Sequence, residues 1–172
     1  MHLAASQWYE LNGRPVPAID HAIEDLHRHG MKPAALIVDT IFSSDGVFAD
    51  PEGFLKPAVA AIRAAGGLFI ADEVQAGMAR TGRMFGVNHA DVAPDLITMA
   101  KGLAGGFPLS AVTGRADIVD APNPGGVGGT YAGNPLAIAA SHAVLDVIDE
   151  ENLCARAAEI GEVIRARLTA MA

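Results

Sequence analysis

Residues 68–101 read LFIADEVQAGMARTGRMFGVNHADVAPDLITMAK and contain two short apolar runs, Leu68–Ala71 and residues 95–100. Each run is bounded by turn-forming residues, a pattern typical of buried parallel strands. The first run ends in Asp72 and the second in Lys101. Because ligands of open α/β sheets bind outside the carboxyl ends of the strands, these two side chains are candidates for one site.

A third apolar run, residues 34–38, ends in Asp39. Helical patterns precede the runs at residues 18–29 and 55–62, and alternation of helix and strand predicts an α/β fold with a mostly parallel sheet and flanking helices. Parallel pairing would place Asp39, Asp72 and Lys101 on one edge. Any one of these charges alone is explained by a strand end that meets solvent. All three together, with Gly102 after Lys101, favour a functional site.

The remaining segments extend the same pattern. Residues 77–91 and 121–129 are predicted to be loops, and residues 109–113 a further short strand. Two helices are predicted at the end of the chain, one starting at Asn134-Pro135 and one with an apolar stripe that runs from Leu153 to Leu168.

Composition excludes several classes of function. The 172 residues are 51% hydrophobic and 19% charged, with a formal net charge of −8, so neither nucleic acid nor an anionic membrane is an expected partner. No apolar run is long enough to span a membrane. The single cysteine, Cys154, allows no internal disulfide and predicts a soluble, cytoplasmic protein. His21, His27 and His29 lack the spacing of metal ligands, so no metal is expected.

The glycine-rich segment Gly125–Gly129 neither follows a predicted strand nor opens a helix directly, which excludes a Rossmann dinucleotide site. Two interpretations remain open. The segment is either a flexible loop or a nest of backbone N–H groups that binds a phosphate.

Four motifs occur in order: ADEVQAG at 71–77, RTG at 80–82, PDLITMAKG at 94–102 and GGTYAGNP at 128–135. Together they resemble the class III (ω-) aminotransferase family of pyridoxal-phosphate enzymes, which have fold type I. The resemblance covers the chain from about Ala34 to its end.

The resemblance implies a role for five residues and requires pyridoxal 5'-phosphate as cofactor. Lys101 would form the Schiff base with the cofactor aldehyde and then transfer the proton between the substrate and cofactor carbons. Asp72 would pair with the pyridine nitrogen of the cofactor and keep that nitrogen protonated. Val74 would pack on the ring face, and Gln75 would bond near the ring hydroxyl. Thr130 would bind the cofactor phosphate of the neighbouring subunit, which implies a homodimer with shared active sites.

The chain also departs from the family pattern. Asp39-Thr40 stands where the family usually has Glu-Pro, and the loop around Ser44 also differs from that of many members. The residues of the substrate pocket therefore cannot be inferred from those of the family. Family members are considerably longer. Residues 1–172 are therefore expected to be a partial cofactor-binding large domain, without the family's N-terminal segment and C-terminal small domain, and inactive in isolation.

Three functions follow as hypotheses. The first is transamination, which moves an amino group from an amine or amino acid to an oxo acid or aldehyde. The second is a phospholyase that acts on an amino-alkyl phosphate, because Asp72, Gln75 and Lys101 serve both reactions. The third is a non-catalytic fragment that needs the rest of the protein.

Overall fold

The computed structural model describes residues 16–171, with side chains described from Ile19 onward. Residues 16–171 contain four strands: β1 (Ala35–Asp39), β2 (Leu68–Asp72), β3 (Leu96–Met99) and β4 (Ala111–Gly114). The α-helices of these residues are α1 (Val16–Arg28), α2 (Lys56–Ala64), α3 (Val87–Ala90), α4 (Ala116–Val119), α5 (Pro135–Glu150) and α6 (Leu153–Thr169). A single turn of 3₁₀ helix, Lys101–Ala104, follows β3.

The strands form one sheet in the order β1-β2-β3-β4. β1, β2 and β3 are parallel, and β4 runs antiparallel to β3. This confirms the predicted α/β class with a mostly parallel sheet. The parallel strands are aligned at their carboxyl ends, with Asp39 opposite Asp72 and Asp72 opposite Thr98. Their carboxyl ends therefore form one continuous edge.

The main core lies between β2 and the helices α1 and α2. Phe69 and Leu55 are completely buried there, and each contributes roughly 1.5–3 kcal/mol through removal of its apolar surface from water. The other buried apolar members of this core are Ile19, Val38, Phe42, Ala58, Val59, Ala71, Val87 and Ala90. Because α2 packs on β2, the core fixes the position of the strand that ends in Asp72.

Asp95, at the start of β3, connects three elements of the fold. Its buried side chain accepts hydrogen bonds from the Phe69 backbone N–H at 2.8 Å, from Arg63 at 3.2 Å and from Arg115 at 3.1 Å. Burial alone would raise the pKa of Asp95, but the bonds from Phe69, Arg115 and Arg63 outweigh it and lower that pKa below its ordinary value. The ionised carboxylate therefore stabilises the junction of β2, β3 and α2.

The start of α5 is fixed by the Asn134-Pro135 pattern that predicts it. The Asn134 side chain accepts hydrogen bonds from the backbone N–H groups of Leu136 at 2.9 Å and Ala137 at 3.3 Å, and Pro135 occupies the first turn. These contacts satisfy N–H groups that have no partner within the helix. The helix predicted to start at Asn134-Pro135 is present where expected.

Two short helices differ from the sequence prediction. α3 lies inside residues 77–91, which were predicted to be a loop, and α4 lies in a segment without an assigned element. Four-residue helices carry too little apolar periodicity to be detected. α3 instead depends on a tertiary contact, because the Glu73 carboxylate accepts a hydrogen bond from its first backbone N–H, that of Val87.

Several apolar side chains remain exposed in the described part of the chain. Ile37 on β1 and Val112 on β4, the two outer strands, are each 60% exposed. The α6 stripe is also exposed, at Ile160, Val163, Ile164 and Leu168. Within residues 16–171, no helix is both long and apolar enough to cross a membrane.

Candidate active site

The carboxyl edge of the sheet brings the predicted charged residues together. Asp39 and Asp72 are the last residues of β1 and β2 and lie opposite each other. Thr98 of β3 lies opposite Asp72, and Lys101 follows three residues later in the 3₁₀ turn. Parallel pairing thus places two carboxylates and an amine at one edge, where α/β sheets bind ligands.

The two oxygens of the Asp72 carboxylate have different environments. Oδ1 accepts hydrogen bonds from the Val74 backbone N–H at 3.1 Å and from the Thr98 hydroxyl at 3.4 Å. Oδ2 receives no hydrogen bond from residues 16–171. The half-buried side chain is therefore held by one oxygen, and the other is available to a donor such as a protonated ring nitrogen.

Lys101 has a strained backbone. Its φ is +36°, in the left-handed region that residues with a Cβ avoid, and the preceding Ala100 has φ −160° and ψ −140°. Such a conformation costs on the order of 1–3 kcal/mol and is concentrated at functional sites. The exposed Lys101 side chain forms no ion pair within the described part of the chain. Within these residues its amine therefore has no charged partner.

The turn after β2 packs against the turn after β3. Met78 and Ala79 both have positive φ, 59° and 66°. A Cβ placed on Gly102 would lie 3.4 Å from the Met78 Cβ and 3.7 Å from a guanidinium nitrogen of Arg80. The strained turn after β2 thus contacts the turn after β3 at the residue next to Lys101.

Asp39 lies at the same edge but is already engaged. Its Oδ1 accepts a hydrogen bond from the Ile41 backbone N–H at 3.2 Å, and its Oδ2 accepts one from the Ser43 N–H at 2.9 Å and another from the Ser43 hydroxyl. These contacts close the loop that follows β1. Both oxygens of Asp39 therefore have donors, in contrast to those of Asp72. Ser44, in the loop after β1, is exposed.

Glu73 was not identified from the sequence. Its side chain is 1% exposed and accepts hydrogen bonds from the Gly86 and Val87 N–H groups, both at 2.7 Å, and from the Thr40 hydroxyl at 3.0 Å. Burial raises the pKa of this carboxyl, the three hydrogen bonds oppose the rise, and the charge of Asp39 adds to it. No spacing signal reveals this group, because its partners are 13, 14 and 33 residues away.

The other predicted residues occupy two regions. Val74 and Gln75 are half-buried in the turn directly after Asp72. Thr130 is exposed in the loop between α4 and α5, as is Tyr131, which is 73% exposed. In the described residues no hydrogen bond joins Thr130 to Asp72 or Lys101. Asp72, Val74, Gln75 and Lys101 thus follow the carboxyl ends of β2 and β3, whereas Thr130 belongs to a different loop.

These residues fit a ring that has a basic nitrogen and an aldehyde. The available Oδ2 of Asp72 can accept a hydrogen bond from a protonated nitrogen, and Lys101 supplies an amine for the aldehyde. They offer little to a metal ion, since no cluster of histidine, cysteine or carboxylate ligands is found in residues 16–171.

Comparison with known proteins identifies the family. The family model for class III aminotransferases matches residues 2–172. The chain belongs to the class III aminotransferases. Its family uses pyridoxal phosphate as cofactor.

Relatives of this class III chain include two enzymes that act on ω-amino acids. The 4-aminobutyrate aminotransferase of Escherichia coli is 43% identical over 159 residues, covering 89% of the chain. The 5-aminovalerate aminotransferase of Pseudomonas putida is 43% identical over 162 residues, covering 92% of the chain. The chain spans only 37% and 38% of the lengths of these relatives.

Solved structures share the fold. A phospholyase from Arthrobacter in complex with phosphoethanolamine superposes with a TM-score of 0.84 at 38% identity, covering 92% of this chain and 38% of that one. The ornithine aminotransferase from Toxoplasma gondii superposes with a TM-score of 0.80 at 39% identity, covering 89% and 35%. The likeness therefore extends over most of the chain.

Proposed function

We propose that this chain belongs to a pyridoxal-phosphate-dependent transaminase, which moves an amino group from an amine or amino acid to an oxo acid or aldehyde. Two residues at one sheet edge carry the proposal. Asp72 has one carboxylate oxygen without a hydrogen-bond donor in residues 16–171, and Lys101 has a strained backbone and an amine without an ion pair in those residues. Class III family membership supports the same chemistry.

Each residue has one proposed task. Asp72 accepts the ring N–H through Oδ2 and keeps the ring nitrogen protonated, while Val74 N–H and Thr98 hold Oδ1. Lys101 would hold the cofactor at its aldehyde carbon, with loss of water, and its amine would hold and return the proton that leaves the substrate carbon. Val74 covers a ring face, and Gln75 bonds near the ring hydroxyl. The cofactor itself supplies the electron sink for the reaction.

We further propose that residues 1–172 form part of the large cofactor-binding domain. The exposed apolar residues of both outer strands, Ile37 and Val112, and the coverage of about a third of each relative support this division. Other segments of the family fold, the N-terminal segment and the C-terminal small domain, would then cover these surfaces.

A homodimer with shared active sites is part of the proposal. Thr130 is exposed in the loop between α4 and α5 and forms no hydrogen bond to Asp72 or Lys101 in the described residues, which suits a residue that binds the phosphate in the partner subunit's site. The glycines before it allow backbone N–H groups to face an anion. A cytoplasmic location stays a prediction from the sequence.

The relatives guide the choice of amino donor. Two of them act on 4-aminobutyrate and 5-aminovalerate, so an ω-amino acid is the first donor to test. The complete protein that contains this chain should form glutamate from 2-oxoglutarate when 4-aminobutyrate or 5-aminovalerate is supplied with pyridoxal phosphate. Failure with these donors and with a panel of simple amines would refute transamination.

A phospholyase is the second candidate, because the Arthrobacter structure similar to this chain is a phospholyase in complex with phosphoethanolamine. The same protein is incubated with phosphoethanolamine, and free phosphate is measured. Phosphate release without glutamate formation would refute the transaminase proposal and support a phospholyase. Products from the complete protein but not from residues 1–172 alone would favour the third hypothesis, a non-catalytic fragment that needs the rest of the protein.

A further inference from the structure

Thr40 and Glu73 form a buried polar pair beneath the carboxyl edge of the sheet. They are 2% and 1% exposed, and the Thr40 hydroxyl donates to Glu73 Oε1 at 3.0 Å. The N–H of Val87 donates to the same oxygen, and that of Gly86 donates to Oε2, each at 2.7 Å. Charge-assisted hydrogen bonds of this kind are the strong ones, so the carboxylate is firmly held.

Two glycines pack closely against the pair. A Cβ on Gly86 would lie 2.6 Å from the Thr40 hydroxyl oxygen and 3.4 Å from Glu73 Oε2. A Cβ on Gly77 would lie 2.7 Å from the Glu73 carbonyl oxygen. Real Cβ atoms do not approach other atoms this closely, so glycine is required at both positions if the pair is to stay in place.

The pair is connected directly to Asp72, the residue before Glu73. The Glu73 N–H donates to the Thr98 carbonyl at 2.9 Å, and the Thr40 N–H donates to the Asp72 carbonyl at 3.4 Å. The peptide group between Asp72 and Glu73 is thus held from both neighbouring strands, while the Glu73 side chain anchors it to the start of α3. A displacement of Glu73 would move the Asp72 backbone and, with it, the carboxylate.

We propose that Thr40 and Glu73 are positioning residues that hold the Asp72 carboxylate in place for the ring nitrogen of the cofactor. The inference rests on the proposed function of Asp72. If the Thr40 hydroxyl is removed, one donor to a buried carboxylate is lost, and Glu73 must either shift or bind a proton. Both responses alter the segment that carries Asp72.

The test uses the complete protein loaded with pyridoxal phosphate that is isotope-labelled at the ring nitrogen. NMR follows protonation of that nitrogen against pH in wild type, Thr40→Val, Thr40→Ser and Glu73→Gln. Thr40→Val is isosteric but lacks the hydroxyl, and Thr40→Ser keeps it. Thr113→Val, on the exposed edge strand β4, is the matched control for loss of a threonine hydroxyl. Thermal unfolding of the cofactor-free proteins is measured in parallel.

We expect Thr40→Val and Glu73→Gln to lower the pKa of the bound ring nitrogen by about one unit, a tenfold loss of its protonated form relative to the neutral one. Thr40→Ser and Thr113→Val should match wild type. A merely structural role would lower the unfolding temperature without moving this pKa. An unchanged ring-nitrogen pKa in Thr40→Val therefore overturns the inference, whatever its stability.

Two further outcomes are distinguishable. If wild type binds the cofactor with an unprotonated ring nitrogen, the proposed function of Asp72 fails, and the inference fails with it. If Thr40→Val does not fold, Glu73→Gln is compared with the double variant Thr40→Val/Glu73→Gln, in which the neutral amide tolerates loss of a donor better than a carboxylate does. A wild-type ring-nitrogen pKa in Glu73→Gln then overturns the inference.

Discussion

Replacement of Asp72 by Asn separates the charge of this residue from its shape. Oδ1 of Asp72 accepts from two donors, the Val74 N–H and the Thr98 hydroxyl. An asparagine side chain keeps both contacts only if its oxygen occupies the Oδ1 position, which places its NH₂ group where Oδ2 now lies. The amide would then present a donor to the ring nitrogen, and that nitrogen can accept it only without its own proton.

The size of the effect follows from the lost charge. Two unit charges about 4 Å apart attract each other by roughly 4 kcal/mol at an effective dielectric constant of about 20. This corresponds to about three pKa units of the ring nitrogen. If the protonated ring is needed in the transition state, kcat should fall about a thousandfold. The free energy of unfolding should change by less than about 1 kcal/mol, because both hydrogen bonds to Oδ1 remain.

The assay combines turnover, cofactor titration and urea unfolding of the complete protein. Asp45→Asn serves as the control, since it removes one negative charge from the exposed loop after β1. For Asp72→Asn we expect near-normal stability and a loss of kcat far greater than the loss of cofactor affinity, and for Asp45→Asn normal values of all three. A steady-state rate for Asp72→Asn within a few-fold of wild type would refute the role of the charge.

Three other predictions test the amine, the subunit interface and the core. Borohydride should fix pyridoxal phosphate covalently to the wild type but not to Lys101→Ala, because only the lysine amine bonds to the aldehyde; equal labelling by mass spectrometry would show that another residue reacts. Thr130→Val should weaken cofactor binding about tenfold or more through loss of a hydrogen bond to a charged phosphate. Mixing the Thr130→Val and Lys101→Ala proteins should restore one intact site in each hybrid dimer, which is measured as regained activity. If no activity is regained, the active sites are not shared between subunits. Asp95→Asn should lower the free energy of unfolding by about 2 kcal/mol, because it removes a charge bonded to Arg63 and to the Phe69 N–H. Since the pKa of Asp95 is lowered in the folded state, its contribution is complete above the ordinary value of 3.8 and is lost as the pH falls through the folded value. Urea unfolding should therefore show the difference from wild type shrinking below about pH 3.8, and a difference that grows there would contradict this reasoning.

Much of the fold could be predicted because its signals are local. The apolar runs before Asp39, Asp72 and Lys101 correspond to β1, β2 and β3, and the Asn134-Pro135 signal corresponds to the start of α5. A buried strand appears in the sequence as a short apolar run, and a helix start appears as a capping residue followed by proline. Both signals lie within a few consecutive residues. The antiparallel direction of β4 could not be read, because a short strand has the same alternation in either direction.

The candidate site was only partly predictable. Sequence placed Asp39 and Asp72 alike at strand ends, but the structure distinguishes them by their hydrogen bonds. Ser43 and the Ile41 N–H occupy both oxygens of Asp39, whereas Asp72 keeps one oxygen without a donor in residues 16–171. This distinction depends on loop geometry after each strand, which composition does not specify.

The sequence by itself determined the fold class, the family resemblance and the sheet edge at which Asp72 and Lys101 meet, because parallel strands align their carboxyl ends. Only the tertiary structure decided which oxygen of Asp72 is available and that Thr40 and Glu73 pair beneath it. Those contacts join residues 26 and 33 positions apart in the chain. A buried carboxylate must find donors wherever the packed fold supplies them, and a local sequence pattern cannot record that choice.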